Sequence, residues 1–136
     1  MINLDLSNIS VGDFAEIEIK MTFDMIKSFA LISQDFNPIH LNEEYAANSR
    51  FKKRIIPGML VGSLFSGLFG TNLPGEGCVY KSQNLRFKRA IYIGDVVKAK
   101  VEVTHVCIKK KVITFTTRCF VHKKIMIDGE SAVFVP

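Results

Sequence analysis

A chain of 136 residues can bury one hydrophobic core but not a second. It holds no repeat, low-complexity tract or Gly/Ser-rich linker at which a domain boundary could fall, so residues 1–136 read as a single domain. The 18 Lys and Arg against 13 Asp and Glu leave a net charge of +5, which favours an anionic partner without naming one. A hydrophobic share of 48% and a mean hydropathy of +0.20 are high for a soluble monomer, so part of the apolar surface is expected in a subunit interface. Cys78, Cys107 and Cys119 form an odd set without a C-x-x-C pair, read as reduced core thiols of a cytoplasmic protein. Residues 1–13 carry two acidic side chains and no basic one, unlike a secretory or transit leader.

Residues 14–21 alternate, with Phe14, Glu16, Glu18 and Lys20 on one side and Ala15, Ile17, Ile19 and Met21 on the other, which predicts a half-buried strand. Thr22 is placed to cap a helix in which Asp24 sits in the first turn and Ile26, Phe29, Ala30 and Ser33 recur at helical spacing. That helix runs into Asp35-Phe36-Asn37-Pro38-Ile39-His40. Pro38 fixes its own φ and pushes Asn37 into an extended conformation, so Asp35 and His40 are predicted as loop residues. Across a kinked loop a carboxylate and an imidazole can turn into one cleft; a plain Asn-Pro turn is the competing reading. Beyond it, Asn42 can cap a short helix over residues 43–48, whose acidic start suits the positive end of the helix dipole.

Arg50-Phe51-Lys52-Lys53-Arg54 places four positive charges in five residues, and Arg86, Lys88 and Arg89 form a second set. Each can be a solvated surface or a landing site for phosphates, to which Arg and Lys give charge-assisted hydrogen bonds. Apart from Phe51 and Phe87 they lack the interleaved aromatics of single-strand nucleic-acid platforms, which argues against nucleic acid.

Residues 55–75 hold no charged side chain. Pro57 suits a helix start and Gly70-Thr71-Asn72 an end, leaving a helix over 58–70 of roughly 20 Å, short of the ~30 Å of a bilayer core. The expectation is a helix buried on most sides, with Met59, Leu60, Leu64, Phe65, Leu68 and Phe69 as its bulk. Gly58, Gly62, Ser66 and Gly70 fall every four residues and make a small-residue groove, suited to close helix packing or to a slender ligand. Residues 79–89, 95–106, 112–122 and 124–135 are rich in Val, Ile, Phe and Thr and are divided by turn material at Ile93-Gly94-Asp95 and Lys109-Lys110-Lys111, which predicts an antiparallel meander. In the third strand Ile113, Phe115, Thr117, Cys119 and Val121 should face inward. The class is α+β, with the sheet curled around the apolar helix. His105 and His122 are expected to be solvent-facing or structural, and no Cys/His spacing suits a metal.

The stretch Phe29 to His40, with Asp-x-Asn-Pro-x-His at its end, resembles the hydratase-2 signature of the MaoC-like, hot-dog-fold family. The likeness continues through Pro57-Gly58-Met59-Leu60, the run from Ser63 to Gly70, Leu73-Pro74-Gly75 and Gly94-Asp95, so it spans nearly the whole chain. The group it most resembles is the short bacterial (R)-specific enoyl-CoA hydratases that supply polyhydroxyalkanoate synthesis. That resemblance implies a hot-dog fold, a long central helix wrapped by a curved antiparallel sheet, and two subunits joined sheet edge to sheet edge. It implies reversible syn hydration of a trans-2-enoyl-CoA, with Asp35 and His40 as the catalytic pair and the Gly58 N–H as oxyanion donor. Asn37 would order the loop and Ser66 would stand near the pair. Pro57 stands where some relatives carry a histidine, a departure that touches the oxyanion site. Arg50, Lys52, Lys53, Arg54, Arg86, Lys88 and Arg89 become candidate contacts for coenzyme A phosphates. Coenzyme A belongs to the substrate, so no separate cofactor is implied. Alternatives are an acyl-carrier-protein dehydratase or thioesterase of the same fold, and a non-catalytic acyl-CoA-binding protein.

Overall fold

The structure is a computed structural model that describes residues 5–136; the leader reading of residues 1–13 therefore falls partly outside the described residues. Strand β1 (Phe14–Lys20) is followed by three helices, α1 (Phe23–Ser33), α2 (Pro38–Leu41) and α3 (Glu43–Ala47), and then by α4 (Gly58–Thr71). Strands β2 (Val79–Gln83), β3 (Arg86–Phe87), β4 (Val96–Cys107), β5 (Val112–Val121) and β6 (Lys124–Phe134) complete the chain. All six strands form one antiparallel sheet in the order β1-β4-β5-β6-β2, with β3 also paired to β6. The α+β class expected from the sequence is the one observed.

The long strands form because their alternation matches the pleat of a sheet with one covered face. On β5, Ile113, Phe115, Thr117, Cys119 and Val121 are all buried, as the pattern predicts, and Val97, Ala99, Val101 and Val103 of β4 join them. Helix α4 lays Val61, Phe65, Leu68 and Phe69 on this surface. The Phe69 and Phe115 rings meet at 4.6 Å between centroids. Phe65, Phe69 and Phe115 are fully buried, each contributing roughly 1.5–3 kcal/mol relative to exposure. Burial pushes the Cys119 thiol up to about 12, which keeps it an inert, protonated core group. Cys78 and Cys107 are only half-buried, so the core-thiol reading holds for Cys119 alone.

Four expectations are corrected. The strands do not run as a simple meander: β4, β5 and β6 do, but β2 lies beyond β6, and the chain crosses back over residues 88–95 to reach β4 beside β1. That crossing is held by Ile91, which is buried and accepts a hydrogen bond from the Ile56 N–H at 2.7 Å. The segment 79–89 is not one strand. Its pairing with β6 shifts register after Tyr80 and breaks at Asn84, whose backbone oxygen stands where a Cβ on Gly129 would have to go. Asn84 fills the space a side chain at 129 would take, and its Oδ1 accepts the Glu130 N–H at 3.1 Å. Helix α4 is covered on one face only: Val61, which the expected core set omits, is buried, while Met59 is 61% exposed and Ser63, Ser66, Gly67 and Gly70 are open. A single curved sheet reaches one side of a helix, so the side carrying Ser63, Ser66, Gly67 and Gly70 stays uncovered. Finally, His40 is not on a loop but in α2, which begins at Pro38 because the missing proline N–H is unneeded at a first helical position.

The helix starts fall where expected, while β1 covers only Ala15 and Ile19 in part and leaves Ile17 exposed. Thr22 Oγ1 accepts the Met25 N–H at 3.3 Å as the cap of α1, and Asn42 Oδ1 accepts the Tyr45 N–H at 2.9 Å as the cap of α3. His105 and His122 are exposed, and His122 and Lys123 both take positive φ in the tight β5–β6 turn. The close approach at Gly129 gives a direct test of the broken strand: Gly129→Ala is expected to lower stability by about 1–3 kcal/mol in a denaturant melt, because a backbone rather than a flexible side chain must yield.

Candidate active site

The last turn of α1 delivers the site. Gln34 takes a left-handed conformation at φ 64° and turns the chain off the helix axis, and its N–H still bonds to the Ala30 carbonyl. Asp35 then sits in the short connection before α2. Its Oδ1 accepts the Asn37 N–H at 3.1 Å, and Asn37 Oδ1 in turn accepts the Ile39 N–H at 3.2 Å, capping α2. Asn37 is extended, at φ −57° and ψ 123°, as a residue before proline must be. It orders the approach to His40 through its cap.

His40 is nearly buried, with 11% of its side chain accessible against 38% for Asp35. Its Nδ1 lies 2.8 Å from the Ile55 carbonyl oxygen. A carbonyl only accepts, so Nδ1 carries the proton and the neutral ring presents its lone pair at Nε2. That nitrogen stands 3.8 Å from Asp35 Oδ2, the carboxylate oxygen that Asn37 leaves free. With the imidazole neutral, these are two acceptors facing each other. They are too far apart to bond directly, yet near enough for one water to donate a hydrogen to each.

Both groups line a cavity of about 1070 Å³ that also contains Gly58, Gly62 and Ser66 of α4, so the structure brings the Asp35–His40 pair and the small-residue groove together. The first backbone bonds of α4 are those of Leu60 and Val61 to the Pro57 carbonyl, so the N–H groups of Gly58 and Met59 lie ahead of them, at the positive end of the helix dipole. Pro57 provides no side-chain cap that would occupy them. Bare glycines matter here because β3 and the residue before it close over them. A Cβ at Gly58 would lie 2.5 Å from the Phe87 ring, and one at Gly62 2.9 Å from Leu85. Ser66 lines the wall without a hydrogen bond to Asp35, and Gly70 lies beyond it.

The seven basic candidates separate. Arg50, Lys88 and Arg89 line the cavity, and Arg89 is braced by a 2.6 Å bond to the Ile125 carbonyl. Lys52, Lys53 and Arg54 do not line it; Arg54 instead lies 4.2 Å over the Phe23 ring and Lys53 5.9 Å over Tyr92. Arg86 is committed to Asp128, 3.4 Å away, which Arg118 also engages at 3.4 Å. Desolvation is the largest single influence on the Asp128 carboxyl and raises it, but the hydrogen bonds and charges of Arg86 and Arg118 together outweigh it and hold the group below its usual range.

Several lining residues were not among the site residues read from the sequence: Ser33, Lys81, Tyr80, Gln83, Leu85 and Phe87. The helical spacing of Phe29 and Ser33 does place both on one face of α1, and that was the available signal. Phe87 of β3 and Leu85 just before it reach α4 through a fold that no local pattern in the sequence shows. Tyr80 donates to Gln83 Oε1 at 2.6 Å, and burial pushes its hydroxyl up to about 12, so it remains a donor at neutral pH.

The MaoC-like domain family matches residues 13–124, most of the chain. The chain belongs to the MaoC-like family, and its fold is the hot-dog fold, a curved antiparallel sheet with one central helix. It is 43% identical to an (R)-specific enoyl-CoA hydratase of Rhodospirillum rubrum over 95% of this chain and 90% of that one. It is 40% identical to the (R)-specific enoyl-CoA hydratase of Aeromonas caviae over 98% of this chain and all of the other. Among solved structures, an (R)-hydratase from A. caviae involved in PHA biosynthesis superimposes with a TM-score of 0.92 at 41% identity, covering 95% of this chain and 98% of that one.

The tautomer assignment can be checked directly. Nitrogen NMR of neutral His40 is expected to show a protonated Nδ1 and a bare Nε2; the opposite tautomer would contradict the bond to the Ile55 carbonyl.

Proposed function

We propose that this protein is an (R)-specific enoyl-CoA hydratase, adding water reversibly and syn across the double bond of a trans-2-enoyl-CoA to give an (R)-3-hydroxyacyl-CoA. The observation that carries the reading is the pairing of His40 Nε2 with Asp35 Oδ2 at 3.8 Å in the cavity where α4 begins at Gly58. Relatives at 43% and 40% identity with this activity support it.

Water is a weak nucleophile, so it must be held and partly deprotonated as its oxygen bonds to C3. His40 Nε2 and Asp35 Oδ2 each accept one of its hydrogens. One of them takes the proton as the C3–O bond forms, and a proton returns from the same side to C2, so that the elements of water are added to one face. As C3 is attacked, negative charge builds on the thioester oxygen. The Gly58 N–H, ahead of the bonded turns of α4, is the donor for that oxygen, acting with the helix dipole. The phosphates of coenzyme A would meet Arg50, Lys88 and Arg89 at the cavity wall, and the acyl chain would lie along the groove beside Gly62 and Ser66. No cofactor is needed for this chemistry, because coenzyme A arrives with the substrate.

The protein is further proposed to act as a homodimer, in the cytoplasm, in supplying monomers for polyhydroxyalkanoate. Strand β2 ends the sheet on one side with exposed Val79 and a single charge, Lys81, whereas β1 ends it on the other with exposed Phe14 and Ile17 among Glu16, Glu18 and Lys20, so β2, the less charged of the two, is the edge suited to a partner's sheet. Among the described residues, no helix is long and apolar enough to cross a membrane.

Hydration of crotonyl-CoA, followed as loss of enoyl-thioester absorbance with chiral analysis of the product, tests the reaction; thioester hydrolysis without hydration would overturn it. Asp35→Asn and His40→Ala are each expected to lower kcat by about 10²–10⁴-fold while leaving product affinity nearly unchanged. Arg50→Ala, Lys88→Ala and Arg89→Ala are expected to raise KM for a CoA substrate by about twofold to fivefold each, with the effect shrinking at high salt, whereas Lys52→Ala leaves KM unchanged.

A further inference from the structure

We propose that Ser33 is a positioning residue for the reaction, fixing Asp35 so that its free carboxylate oxygen faces His40; the inference rests on the hydratase reading above. Three successive side-chain oxygens between Ser33 and Asn37 each accept the backbone N–H two residues ahead. Ser33 Oγ takes the N–H of Asp35 at 3.1 Å, Asp35 Oδ1 that of Asn37 at 3.1 Å, and Asn37 Oδ1 that of Ile39 at 3.2 Å. The chain of bonds starts on the last residue of α1 and ends inside α2, one residue before His40.

Ser33 is the end of this relay that is tied to rigid structure. Its hydroxyl has one hydrogen, which it donates to the Phe29 carbonyl at 2.7 Å, one helical turn back. Its lone pairs are thereby turned toward the Asp35 N–H. Without that tether, Asp35 would follow Gln34, whose left-handed conformation has no glycine to ease it, with nothing holding its amide to the helix. The bond between Asp35 Oδ1 and Asn37 fixes which carboxylate oxygen is spent. The bond from Ser33 fixes where the Cα carrying that carboxylate stands. Together they leave Oδ2 alone at 3.8 Å from His40 Nε2. Ser33 also lines the cavity, yet it is not one of the cationic groups at the wall or part of the α4 groove, so its loss should disturb the reacting geometry and spare substrate binding.

The experiment compares the wild type with Ser33→Ala and Ser33→Thr in crotonyl-CoA hydration and in amide hydrogen exchange. Ser33→Ala is expected to lower kcat about tenfold with KM held within about twofold, since small misplacements of a reacting group cost rate more than binding. Ser33→Thr keeps the hydroxyl and should recover most of that loss. Exchange of the Asp35 N–H should quicken about tenfold in Ser33→Ala and stay near wild type in Ser33→Thr. Unchanged kcat in Ser33→Ala, or equal impairment in both variants, overturns the proposal. A wild type that hydrates no enoyl-CoA overturns the hydratase reading instead. The tether is then judged by exchange alone, which upholds it if Asp35 quickens in Ser33→Ala and overturns it if not.

Discussion

The hydrogen bond from His40 Nδ1 to the Ile55 carbonyl, 2.8 Å long, is the contact on which the site depends. It sets the tautomer, and so decides that Nε2 is the nitrogen available for proton transfer. It also joins two segments that the chain separates by fifteen residues. Ile55 is held on its other side as well: its N–H donates to the Ile39 carbonyl at 3.3 Å, and it bridges to Tyr92. Three residues later the chain enters α4 at Gly58. One short stretch of backbone therefore positions both the His40 ring and the Gly58 N–H.

That coupling is useful because the platform beneath it is rigid. The inward side chains of β4, β5 and β6 meet one face of α4 in a close-packed layer, and a helix end resting on such a layer holds its backbone N–H groups in a fixed direction. Next to that face Gly58, Gly62 and Ser66 make a flank of small residues; Phe87 and Leu85 close over the two glycines, and Ser66 stays exposed. The missing Cβ atoms at Gly58 and Gly62 let Phe87 and Leu85 pack close against the helix as part of the cavity wall.

Charge is distributed by the same logic of neighbours. Two of the arginines, Arg86 and Arg118, are spent on Asp128, while Arg50, Lys88 and Arg89 stand at the cavity wall. A net charge of +5 says only that cations are in excess. Which of them a ligand can meet is settled by which the fold brings to the cavity: Arg50 lines it even with its guanidinium 4.8 Å over the Phe51 ring.

The sequence alone determined what depends on spacing along the chain. Alternation in residues 112–122 marks the buried side of β5, Thr22 and Asn42 mark helix starts through side chains that accept nearby N–H groups, and Asp-x-Asn-Pro-x-His marks the place to look for chemistry. The resemblance carried by that motif led to the right family. What the sequence did not contain was everything decided by contacts between distant segments. The break at Asn84 follows from its approach to Gly129, and the crossing of residues 88–95 from Ile91 docking on Ile56. The sorting of seven basic side chains follows from which of them face one cavity. The 3.8 Å gap between Asp35 and His40 is likewise tertiary, because the bond that turns the imidazole comes from Ile55 and no local pattern names that partner. Local propensity fixes which elements form; packing fixes which side chains meet.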